Sequence, residues 1–86
     1  MKNEIQFKRL REQIEEIDEK IFSSFGERVN MVKEIMKIKK ENGIPVEDIE
    51  REEELIKRIK QRFNNLDDRF IEDVFRVVFH HSKRDK

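Results

Sequence analysis

The chain has 86 residues, 47% of them charged and 35% apolar, with 20 basic residues balancing 20 acidic ones. That balance removes the global field that would favour nucleic acid or an anionic membrane surface, and so short a chain buries only a modest core alone. Cysteine is absent, which excludes disulfides and cysteine zinc sites; His80 and His81 cannot build a metal site by themselves, and no apolar run approaches membrane-spanning length.

The polar start of the chain does not read as a signal peptide, so the cytosol is the default compartment. Taking every third and fourth residue from Phe7 gives Phe7, Leu10, Ile14, Ile17, Ile21, Ser24, Arg28, Met31, Ile35 and Ile38. This is a helical heptad seam broken only by Ser24 and Arg28. An unpaired guanidinium inside such a stripe costs several kcal/mol to desolvate, so something anionic should meet Arg28. That anion is either a side chain of the protein or a ligand. Gly26 offers a choice of architecture. Ser24 and Glu27 have the spacing of a capping box, which would start a new helix and give a four-helix bundle. The heptad register nevertheless passes through Gly26 without slipping, and one internal glycine costs only about 1 kcal/mol. A single helix over residues 5–42 is the expected solution.

The Asn42-Gly43-Ile44-Pro45 stretch predicts a helix stop, with Gly43 in a left-handed cap and Pro45 blocking continuation. Asp48 can cap a second helix, expected over residues 48–64, with Ile49, Glu52, Ile56, Ile59 and Phe63 facing inward. Asn64-Asn65 end it, and Asp67 or Asp68 starts a third helix over residues 67–85. Its inward positions are Ile71, Val74, Phe75, Val78, Phe79 and Ser82, and Lys86 follows one turn later. The fold class is therefore all-α: one domain, residues 1–86, with a long first helix and two shorter ones. A first helix of about 38 residues would be roughly 57 Å long, against about 30 Å for a compact globule of this size. The shorter helices can flank only half of it, so an intertwined homodimer is the economical way to cover the seam and to supply the stability a small core lacks.

The polar residues inside these stripes suggest a site. Lys39 follows Arg28 by close to three helical turns and emerges on nearly the same face, with the two backbones about 16 Å apart. Two long cationic side chains at that spacing can converge on a small anion, and each helix adds polar groups to an otherwise apolar interior. Purely structural readings exist for the same residues. Arg28 and Glu52 can be a buried pair that fixes register, and Lys39 beside Lys40 can be a solvated helix end that complements the dipole.

Taken together, Leu10-Arg11-x-x-Ile14-x-x-Ile17-Asp18, then Glu27-Arg28, then Lys39, then Pro45-x-x-Asp48-x-x-Arg51-Glu52 resembles the all-helical class of chorismate mutases. The most specific part is Asp48-x-x-Arg51-Glu52 after a Gly/Pro loop. The resemblance covers the chain from about Leu10 to its C-terminus. It implies an intertwined homodimer with two equivalent active sites, which rearrange chorismate to prephenate without metal or cofactor. It further implies that Arg28, Lys39, Asp48, Arg51, Glu52 and Ser82 line a site that Arg11 enters from the other chain. In those roles Arg11 and Arg28 pair with the substrate carboxylates, and Lys39 donates to the ether oxygen. Asp48 and Glu52 hold the substrate hydroxyl, Arg51 buttresses both, and Ser82 assists a carboxylate. One position departs from the family pattern. Four residues after Ser82 the family usually has glutamine or glutamate, which reaches the ether oxygen; here that residue is Lys86, a second ammonium that would repel Lys39. Two other functions share parts of this pattern: an isochorismate pyruvate lyase of the same fold, and a coiled-coil module without catalysis.

Overall fold

A computed structural model describes residues 2–82; Lys86 lies outside them. The described residues form three α-helices and no strand: α1 over Glu4–Asn42, α2 over Ile49–Arg62 and α3 over Asp68–Ser82. None of these helices is long and apolar enough to cross a membrane. The chain divides into two compact units, Met1–Glu34 and Ile35–Lys86.

The first unit is the body of α1. The helix opens with the Phe7 N–H donating to the Asn3 carbonyl at 2.9 Å, and it runs through Gly26 without interruption. The turn at Ser24–Glu27, and with it the four-helix alternative, does not form. Interrupting a regular apolar repeat would forfeit more hydrogen bonds than one glycine costs. Phe7, Leu10, Ile14, Ile17 and Ile21 are between 43% and 57% exposed. Half-buried positions are instead Phe25, Arg28 and Val32, and Met31 is exposed. Within a single chain the half-buried residues of α1 thus follow a straight face of the helix, while the rest of the heptad seam is left exposed, as expected of a face meant for a second chain. A heptad repeat drifts by about 20° per heptad around a straight helix, so residues chosen at that period walk away from their starting face.

The second unit comprises the end of α1, a loop, and the α2–α3 hairpin. On the end of α1 the half-buried residues are Met36 and Lys39, while Ile35 and Ile38 are exposed, as the same drift requires. The helix stops as its residues dictate. Gly43 adopts φ 64°, and the Ile44 N–H donates to the Lys39 carbonyl at 2.8 Å, which is the 6→1 bond of a Schellman ending. The Asn42 side-chain amide covers a further carbonyl, that of Ile38, at 2.8 Å.

Asp48 caps α2, its Oδ1 accepting the Arg51 N–H at 3.1 Å. Asp67 does the same for α3, with Oδ2 accepting the Phe70 N–H at 3.1 Å. Between the two helices the Leu66 N–H closes a turn on the Phe63 carbonyl at 3.0 Å. Lys60 near the end of α2 pairs with Glu72 on α3, an antiparallel arrangement about that turn. The Glu72 carboxylate holds the Lys60 ammonium above its ordinary value, first through the hydrogen bond and then through charge.

Ile71 and Phe79 are the buried residues, 3% and 7% exposed. Phe75 stacks on Phe79 at 5.1 Å between centroids, and Val74, Val78 and Ser82 are half-buried beside them. The inward face of α3 is therefore the expected one. That of α2 is shorter and broader than expected: Glu52, Leu55, Ile56, Ile59 and Lys60 are half-buried, whereas Ile49 and Phe63 are 57% and 41% exposed. Ile49 opens α2 and Phe63 caps its far end, so both stand at the helix margins.

Candidate active site

The expected site residues fall in both units. Arg11 and Arg28 belong to the first, and Lys39, Asp48, Arg51, Glu52 and Ser82 to the second. Within the first, Arg11 is exposed and its guanidinium lies 5.0 Å from the centre of the Phe7 ring, one turn earlier on α1. Such a cation–π contact at i,i+4 limits where the side chain can swing. Arg28 is half-buried. The seventeen residues between the two arginines span about 25 Å of continuous helix.

In the second unit Lys39 occupies the half-buried face of α1, with its Nζ donating to the Val46 carbonyl at 2.9 Å. Lys39 thus lies in the last turn of α1, where a cation complements the helix dipole, and its ammonium also contacts the loop that carries Asp48. Asp48 is exposed, and its observed task is the cap on α2. A carboxylate offers about four lone-pair positions, so a cap leaves capacity for a further donor. Glu52 sits one turn into α2 on its half-buried side. Arg51 gives its backbone N–H to Asp48, and both residues line an open depression with Glu50, Glu53, Glu54 and Lys57. Ser82 is half-buried at the end of α3, and its hydroxyl donates to the Val78 carbonyl at 2.7 Å. To donate to a carboxylate, that hydroxyl must rotate off the helix. Lys86 lies outside the described residues.

Chemically, the first unit supplies two guanidinium groups, and the second supplies an ammonium, a guanidinium and carboxylates that can accept from a hydroxyl. Guanidinium forks suit carboxylate ligands, and an ammonium suits a point of developing negative charge. Among the described residues no cluster of His, Asp and Glu is arranged to hold a metal ion. Two neighbours of the expected site residues escape a reading of side-chain types and spacing. Val46 acts through its backbone carbonyl, which carries no sequence signal. Phe7, read as seam, also serves as the platform for Arg11, and its i,i+4 spacing to an arginine was the available clue.

Residues 10–85 match the family model described as chorismate mutase type II. The chain is also similar to a protein named chorismate mutase from Methanocaldococcus jannaschii, 34% identical over 76 residues that cover 86% of this chain and 77% of the relative. No solved structure matches it significantly.

Proposed function

The chain belongs to the chorismate mutase type II family, and from that membership we propose how its residues perform the reaction. It is an isomerase that rearranges chorismate to prephenate in a concerted pericyclic step. The observation that carries this reading is the family match across residues 10–85.

Such a step asks two things of a protein. The flexible dicarboxylate must be held in the compact conformer in which the bond-forming carbons meet. Donors must also stand where negative charge grows on the breaking ether oxygen. Arg28 and, from a second copy of the chain, Arg11 take the two carboxylates. Lys39 donates to the ether oxygen, Asp48 and Glu52 accept from the hydroxyl, Arg51 supports them, and Ser82 assists a carboxylate. Lys86 adds a second ammonium where relatives commonly carry an amide or carboxyl group. No cofactor enters the scheme, and we place the enzyme in the cytosol.

The homodimer is supported by two features of the first unit. Its lower seam residues are exposed along a continuous helix, and a strict heptad pattern favours a left-handed wrap against another helix. Two arginines about 25 Å apart on one helix cannot both grip one small molecule comfortably, which assigns Arg11 to the partner's site.

The test is conversion of chorismate by the purified protein, with isochorismate assayed in parallel. Prephenate should form from chorismate, and no pyruvate should form from isochorismate. Pyruvate release from isochorismate without prephenate formation would make the protein a lyase, and inertness toward both would leave a non-catalytic module.

A further inference from the structure

Lys39 grips the loop at residues 43–48 twice. Its backbone carbonyl accepts the Ile44 N–H at 2.8 Å. Its ammonium reaches beyond the turn and donates to the Val46 carbonyl at 2.9 Å. Between these anchors stands Pro45, whose ring fixes its own φ. Only two residues after Val46, Asp48 accepts the Arg51 N–H on its side chain and the Glu52 N–H, at 3.2 Å, on its carbonyl. The path of this loop therefore decides where α2 begins and where Glu52, one turn in, is presented.

We propose that the Lys39 ammonium straps the α1–α2 loop through the Val46 carbonyl, and that this strap positions Asp48 and Glu52 for the substrate. The proposal rests on the reading of Lys39, Asp48 and Glu52 as site residues. A helix-end lysine that merely complements the dipole would point at the last carbonyls of its own helix. The acceptor here lies seven residues further on, in the loop. The nature of that acceptor matters as well. A carboxylate would neutralise the ammonium, whereas a neutral carbonyl fixes it and leaves its charge for the reaction. An ammonium has three N–H donors, so the bond to Val46 leaves two for substrate. One side chain thus couples the cation at the ether oxygen to the carboxylates at the hydroxyl. Loop order and charge placement become a single property.

The full chain, labelled with ¹⁵N and ¹³C, provides the test. Wild-type protein should show a coupling across the hydrogen bond between Lys39 Nζ and the Val46 carbonyl carbon. Amide hydrogen exchange is then compared in Lys39→Met, which lacks the donor, and Lys39→Arg, which keeps a long cationic one. Exchange at Ile44, Arg51 and Glu52 should accelerate about tenfold or more in Lys39→Met, with amides in the middle of α3 unchanged. Lys39→Arg should recover most of that protection. Absence of the coupling, an unchanged loop in Lys39→Met, or equal acceleration in α3 would each overturn the strap. Chorismate turnover of the same variants reports separately on the underlying reading. Lost turnover with an unchanged loop removes the strap and leaves the reaction role standing. A loosened loop with intact turnover would overturn the positioning of Asp48 and Glu52 for the substrate and would remove Lys39 from the chemistry.

Discussion

Removing the Arg28 side chain should cost turnover rather than folding. An arginine that exists to pair with a substrate carboxylate is dispensable for stability, and its loss removes a charge-assisted bond from the bound state. Arg28→Ala is expected to lower kcat/KM by roughly a hundredfold to a thousandfold, with circular dichroism and melting temperature close to wild type. An arginine that fixes register by pairing with Glu52 would behave differently, because its deletion strands a carboxylate; a large fall in melting temperature would favour that role. At Lys86 the expectation runs the other way. If Lys86 reaches the ether oxygen beside Lys39, as the proposed site has it, a glutamine there would still donate but would no longer repel a protonated Lys39, so Lys86→Gln should raise turnover near neutral pH. An unchanged rate would mean that Lys86 takes no part, and a lower rate would make the second ammonium itself catalytic.

At the scale of the elements, the two glycines make opposite predictions. A Cβ at Gly26 would meet nothing within 4 Å in the chain, so Gly26→Ala should stabilise by about 1 kcal/mol through helix propensity alone. Gly43 holds φ 64°, where an L side chain costs about 1 kcal/mol or more, so Gly43→Ala should destabilise by that amount. Denaturant titration of both variants decides the matter. A loss of stability in Gly26→Ala would place a second chain's backbone against that glycine. The bridge between α2 and α3 has a pH signature. Glu72 raises the Lys60 value above the ordinary 10.5, so the stability it contributes is fully present below that value and fades only as pH rises through the raised one. Wild type and Glu72→Gln should therefore keep a constant stability difference from neutral pH to about pH 9 and converge only in stronger alkali.

These elements also show what a sequence can and cannot reveal here. The stop at Asn42–Pro45 and the caps at Asp48 and Asp67 were legible because each depends on a few neighbouring residues with distinctive backbone or side-chain chemistry. Ile49 and Phe63 were misplaced because burial at a helix margin depends on what stands opposite, which periodicity does not encode. In α1 the residues half-buried within one chain differ from the seam because residues spaced at 3.5 drift around a helix that turns at 3.6. Among the site residues, types and spacings pointed to Lys39, while its bond to a backbone carbonyl seven residues on left no trace in the pattern.

For the whole molecule, the exposed seam of α1 and the spacing of Arg11 and Arg28 support the proposed dimer with shared sites. Sedimentation equilibrium should find a helical species at twice the chain mass of 10.6 kDa, and a stable, fully helical species at 10.6 kDa would contradict the dimer. Complementation between two inactive chains reaches further, because it joins the reaction to the architecture. Arg11→Ala and Arg28→Ala proteins should each fail to convert chorismate. Unfolded together and refolded, they should form heterodimers in which one site has both arginines and the other has neither. Random pairing makes about half of the dimers mixed, so the pool should regain about a quarter of wild-type chorismate mutase activity. If both arginines served a site within one chain, every site would lack one of them, and the refolded mixture would remain as inactive as its parents.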